Sequence, residues 1–199
     1  MEARLPKISA EDLLKQNTAR PEWFVPGWLI AGQINLLAGE VAAGKSFAAL
    51  DLAIGAAIRG EAWGGLPVRR ANVLYLSLDT PLATMAARLA SLAGGAGLSE
   101  VPNLTFDDDF YDLSLNEGTR ALMRYMKTEN TGLLIVDALS RYLLTGSENS
   151  TSRTNHAFAM LGMLTRLLNC TVVVIHHLNK RGGPSLEGEG AARRIRGSS

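Results

Sequence analysis

Along the chain, short runs of successive apolar residues alternate with longer segments in which apolar positions recur every three or four residues. "INLLA" (34–38), "NVLYLSLD" (72–79), "LTF" (104–106), "GLLIVDAL" (132–139) and "TVVVIHH" (171–177) belong to the first kind. Apolar runs without alternation are the signature of strands covered on both faces. Segments 45–59, 82–92, 116–127 and 156–168 belong to the second kind and predict helices; in the first of them Leu50, Ile54, Ala57 and Ile58 share one face. A turn is expected around Gly94, Gly95 and Gly97, and a loop over 146–155, which is rich in Ser, Thr and Asn. Buried strands separated by helices predict an α/β fold, a mostly parallel twisted sheet with helices on both faces. Residues 1–30 read as a lead-in to a domain spanning 31–199: "ISAEDLL" suits a short helix, and "RPEWFVPGWLIAGQ" suits extended chain. The last segment, 178–199, is rich in Gly and charge without periodicity and reads as a loop or a chain end.

Composition narrows the class. A chain of 199 residues, 47% hydrophobic and 20% charged, suits one domain with one sizeable core. A net charge of +1 gives no global attraction to nucleic acid, so any such contact must be a local patch. The single cysteine, Cys170, has no partner for an internal disulfide and lies in an apolar run that predicts a buried thiol. No stretch reaches the ~18 uncharged apolar residues of a membrane span, Asp51 interrupting the longest, and the charged N-terminus has no apolar signal core. The expected setting is the cytoplasm, with no membrane partner.

The chemistry is concentrated in "GEVAAGKS" (39–46), which satisfies G-x-x-x-x-G-K-[ST] between a predicted strand and a predicted helix. Glycines let the backbone amides wrap a phosphate, Lys45 supplies a point charge to β/γ oxygens, and Ser46 can ligate Mg²⁺. The candidate nucleotide-binding residues are Gly39, Glu40, Val41, Ala42, Ala43, Gly44, Lys45, Ser46 and Phe47, with ATP and Mg²⁺ as cofactors. A second acid belongs at the end of a neighbouring buried strand, where it can hold the metal through water. "LLIVDAL" supplies Asp137. Ala138, not a glutamate, follows it, so an acid that polarises an attacking water must come from another strand. Asp79, ending "VLYLSLD", is best placed; Glu40 is weaker because a loop side chain there faces solvent. Adjacent strand residues point to opposite faces, so His176 and His177 cannot easily share a metal. Trp23, Phe24 and Trp28 read as packing residues.

"NLLAGEVAAGKSFAALDLA", "ANVLYLSLDTP", "LLIVDALSRY" and "VVVIHHLNK…RGSS", in that order, resemble the RecA-type ATPase domain of the RepA-like hexameric replicative helicases of plasmids and phages, also grouped as AAA_25. The resemblance runs from about Pro21 to the end. It implies a RecA-like P-loop core, a homo-oligomeric ring of six with ATP between subunits, and translocation on single-stranded DNA. It also implies that His176 or His177 senses the γ-phosphate. Two departures stand out. Asp79 occupies the place where the family usually has Glu, which draws the carboxylate back by about 1.5 Å; it is a full catalytic acid, a weakened one, or a water-mediated metal ligand. The family also continues past "RGSS" into strands that carry an arginine finger, so the domain is expected to be truncated at its C-terminal end. Arg193, Arg194 and Arg196 are not assigned that role. DNA contact is expected from 145–155 and from 179–194, where Lys180, Arg181, Arg193 and Arg194 outnumber Glu187 and Glu189 on a glycine-rich backbone. Two other readings stay open: a RecA-fold ATP-binding switch that hydrolyses slowly, and a small-molecule kinase, for which no arginine lid is evident.

Overall fold

The computed structural model describes residues 9–15, 21–143 and 150–177. In chain order its elements are α1 (Ala10–Lys15), β1 (Trp23–Val25), β2 (Leu29–Ile30), β3 (Ile34–Gly39), α2 (Lys45–Ile54), a π-helical turn (Gly55–Arg59), β4 (Glu61–Ala62), β5 (Leu66–Pro67), β6 (Asn72–Ser77), α3 (Leu82–Gly95), β7 (Leu104–Asp107), α4 (Asn116–Thr128), β8 (Thr131–Asp137), a 3-10 turn (Leu139–Tyr142), α5 (Ser150–Leu168) and β9 (Thr171–His177). Five strands form one parallel sheet in the order β3-β9-β8-β6-β7. β1 pairs with β2, and β4 with β5, as small antiparallel hairpins.

The sheet separates two cores, and strand periodicity decides which residues join each. Val73, Tyr75, Leu133, Ile135, Val173 and Ile175 pack on the side of α2 and α3, with Leu50, Ile54 and Met85. Their neighbours Leu74, Leu76, Leu134, Val136, Val172 and Val174 pack on the other side, against Leu122 and Met126 of α4 and Leu161 and Leu164 of α5. Both sets are buried in the central strands, which is why those strands show no polar alternation. Phe24 and Val25, within the expected lead-in, join the α2 core. Trp28, more than half exposed, lies edge-on to Trp63 at 6.0 Å.

Several boundaries differ from expectation, and α3 runs on through Gly94 and Gly95, where a turn was expected. The helix expected over 45–59 is α-helical only to Ile54, and the last turn widens to a π pattern closed by the Gly60 N–H donating to Gly55 O at 2.8 Å. A Cβ on Gly55 would stand 2.5 Å from Glu61 O, so only glycine admits the β4–β5 hairpin this close. Asp51 completes the junction by accepting from Arg59 and from the Trp63 N–H. The strands ending at Asp79 and Leu139 stop earlier, at Ser77 and Asp137, because the chain turns there toward α3 and the 3-10 segment. The loop expected over 146–155 is helical from Ser150. Its first turns are polar, with Thr151, Ser152 and Asn155 exposed, and imitate a loop in composition, while Ala157, Leu161 and Leu164 anchor the helix further on.

Candidate active site

Residues 39–46 join the C-terminal end of β3 to the N-terminus of α2, and the turn depends on glycine. Gly44 sits at φ 80°, ψ 10° as the N-cap, a left-handed conformation that glycine adopts without penalty. Ala42, at φ 63°, bends the loop further. The first N–H groups of a helix lack intrahelical partners and carry its positive dipole end, so α2 opens toward an anion. Lys45 folds back over the loop: its Nζ donates to Gly39 O at 2.8 Å and to Glu40 O at 2.6 Å, and the residue is only 7% exposed. Glu40 is exposed, as expected for a side chain facing solvent. Phe47, in the first turn of α2, lies under the Arg88 guanidinium of α3 at 5.0 Å.

Strand parity gathers the other candidates. Asp137 ends β8 on the same face as Leu133 and Ile135, the face that carries α2. It is 1% exposed; Oδ2 accepts the Tyr75 hydroxyl at 2.8 Å and Oδ1 is buried without a hydrogen-bond partner among the described residues. Burial, then the charge and hydrogen bond of Asp137, push the Tyr75 phenol well above its ordinary pKa, so Tyr75 remains a donor. A buried carboxylate with one oxygen held by Tyr75, together with the serine at the start of the phosphate-loop helix, supplies the kind of oxygen donors that Mg²⁺ takes. Among the described residues no group of three or more His, Cys, Asp or Glu is arranged to hold a metal, so a magnesium here would rely on Ser46, Asp137, water and nucleotide oxygens.

Asp79 lies two residues beyond the end of β6. Its Oδ1 accepts from Arg141 Nε at 2.7 Å, and its Oδ2 is 3.4 Å from His177 Nε2. Partial burial works to raise the Asp79 pKa, but the hydrogen bond and charge of Arg141, joined by those of His177, outweigh it and hold the carboxyl below its usual value. His177 follows the parity of Val173 and Ile175 onto the α2 face, whereas His176 follows Val172 and Val174 onto the other. Burial, then the nearby charges of His177 and Lys45, lower the His176 pKa. Cys170 is buried and its thiol is pushed up to about 11, as an inert core cysteine.

Tyr75 and Arg141 escape a linear reading. Each meets its partner 62 residues away in sequence, through the lateral pairing of β6 with β8. Lys180, Arg181, Arg193 and Arg194 lie outside the described residues, as do positions 145–149 of the expected 145–155 loop. A cavity of about 480 Å³ opens at the opposite end of the sheet, lined by Asn72, Asn103, Thr131 and Asn169; it does not touch the phosphate loop. Among the described residues no helix is long and apolar enough to cross a membrane.

A family model described as an AAA domain, AAA_25, matches residues 1–183. Among solved structures, a KaiC-like protein from the hyperthermophilic archaeon Pyrococcus horikoshii superposes with a TM-score of 0.53 at 18% identity, over 80% of this chain and 71% of that one. No curated protein matches by sequence. The five-stranded parallel sheet and these matches agree on the RecA-like α/β fold expected from the motifs.

Proposed function

The chain belongs to the AAA_25 family of AAA domains, nucleotide-binding ATPase domains of RecA fold, and from that premise we propose that it hydrolyses Mg·ATP as a ring-forming motor on single-stranded DNA. The observation that carries the hydrolytic part is that His177, which contacts Asp79, pairs with Gly39 at the start of the Lys45 loop, while Asp137 ends the neighbouring strand at the same C-terminal edge of the sheet. The DNA part rests on the order of the four sequence motifs.

ATP entering the loop offers Lys45 phosphate oxygens in place of the carbonyls of Gly39 and Glu40, and the amides opening α2 close around the phosphate chain. Ser46 and Asp137 would hold Mg²⁺, which neutralises phosphate charge when bound. Asp79 orients a water toward the γ-phosphorus; as the water oxygen bonds to phosphorus, the bond to the bridging oxygen of ADP breaks. ADP and inorganic phosphate leave, and the water proton passes through Asp79 to solvent. His177, sharing Asp79, transmits the loss of the γ-phosphate to the chain beyond β9. Phe47 and Arg88 flank the loop's helix as further candidate nucleotide contacts. Tyr75 fixes Asp137, so Tyr75→Phe is expected to raise the Mg²⁺ needed for half-maximal nucleotide binding by about tenfold, the scale for a ligand's hydrogen-bonding partner. A Mg²⁺ titration of a fluorescent ATP analogue reads this; an unchanged midpoint would remove Tyr75 from the site.

A slowly hydrolysing switch is the second reading. It is favoured by one observation: Asp79 has the shorter side chain and both of its oxygens are already engaged. ATP turnover measured with and without single-stranded DNA separates the two. The motor reading expects turnover to rise with DNA and the rise to shrink with added salt, as phosphate contacts are screened. Nucleotide binding with turnover indifferent to DNA would favour the switch.

A further inference from the structure

We infer that Arg141 is a positioning residue that fixes the Asp79 carboxylate for its work on the attacking water. The inference rests on the reading of Asp79 given above. Arg141 comes from the 3-10 turn that follows the β8 acid, and it reaches across to β6's extension, where its Nε donates to Asp79 Oδ1 at 2.7 Å. His177, from the end of β9, stands at 3.4 Å from Oδ2 on the other side. Three strand ends therefore converge on one carboxylate.

The backbone behind Arg141 is built to hold it. Leu139 and Tyr142 on either side are buried, the Arg141 N–H donates to Ala138 O at 2.9 Å, and Tyr142 O accepts from the Leu113 N–H at 2.9 Å. The guanidinium itself is mostly exposed, with 61% of its side-chain surface accessible. A fixed backbone thus carries an exposed head group whose pairing contributes little to folding, since solvent-screened ion pairs are weak. What the pairing does determine is where Asp79 points. A carboxylate one methylene shorter than glutamate falls short by about 1.5 Å, and an error of about 1 Å in a catalytic group costs on the order of 100-fold in rate. The side-on contact to Nε and the planar guanidinium restrict the carboxylate in a way a point charge does not.

The test compares Arg141→Ala and Arg141→Lys with the parent and with Asp79→Asn, in ATP turnover, in affinity for a non-hydrolysable ATP analogue and in melting temperature. Arg141→Ala is expected to lower kcat by about 10- to 100-fold while KM, analogue affinity and Tm stay at the parent values. Arg141→Lys recovers part of the loss, through the charge alone. In the Asp79→Asn background, Arg141→Ala should add no further loss, because the two act through one carboxylate. Unchanged or raised kcat in Arg141→Ala overturns the inference, as does a KM that rises in step with the fall in kcat. Asp79→Asn separates the two layers: if it is inactive while Arg141→Ala is fully active, only the role of Arg141 fails. If Asp79→Asn turns over like the parent, the assignment of Asp79 fails and takes this inference with it.

Discussion

Lys45→Ala is expected to abolish ATP turnover and to weaken nucleotide binding by about 100-fold or more, at the scale of about 1.5–3 kcal/mol for each hydrogen bond to a charged group. Lys45 is almost fully buried, and among the described residues its ammonium donates to two loop carbonyls, Gly39 O and Glu40 O. Those carbonyls lie at the open end of the strands and can take water when the lysine is removed, so the loss should fall on binding more than on folding. A nucleotide titration with circular dichroism and a thermal melt would separate the two. Parent-like affinity in a folded Lys45→Ala protein would mean that the loop does not grip a phosphate.

The second large effect belongs to Asp79. Asp79→Asn keeps the shape of the side chain and one hydrogen-bond acceptor, but it cannot take a proton. Turnover is expected to fall by about 10²- to 10⁴-fold, the contribution of a positioned general base, with ATP affinity equal to the parent's or slightly tighter because a negative charge near the γ-phosphate is gone. The partner Arg141 is largely exposed, so losing the charge pair should leave Tm nearly unchanged. Single-turnover hydrolysis beside equilibrium binding reads both quantities. Asp79→Asn hydrolysing ATP as fast as the parent would return the carboxylate to the role of a turn residue or an indirect metal ligand.

How far the sequence carried these expectations varies by residue. The three central strands were legible because they are buried on both faces and read as nearly unbroken apolar runs, and the phosphate loop because its glycines and Lys45-Ser46 fall between a strand and a helix. The hairpin strands Trp23–Val25 with Leu29–Ile30, and Glu61–Ala62 with Leu66–Pro67, span two or three residues each. That is too short for any alternation to register. Alternation did separate His176 from His177, but which of them shares a face with α2 depends on tertiary packing, and only the two cores decide it. Tyr75 looked like one more apolar strand residue, and its hydroxyl acquires meaning only because Asp137 lies on the neighbouring strand. Arg141 likewise carries no signal of its own along the chain, because its partner Asp79 lies beyond a different strand. The expected DNA-contacting residues Lys180, Arg181, Arg193 and Arg194 fall outside the described residues, so the DNA proposal rests on motif order rather than on geometry.

The most direct test is steady-state ATP hydrolysis by the parent chain in Mg²⁺, at protein concentrations that permit ring assembly, with Lys45→Ala as the blank. Turnover above the blank is the predicted result, and it would tie hydrolysis to the phosphate loop that carries Lys45. ATP that binds yet is hydrolysed no faster than by Lys45→Ala would contradict the account.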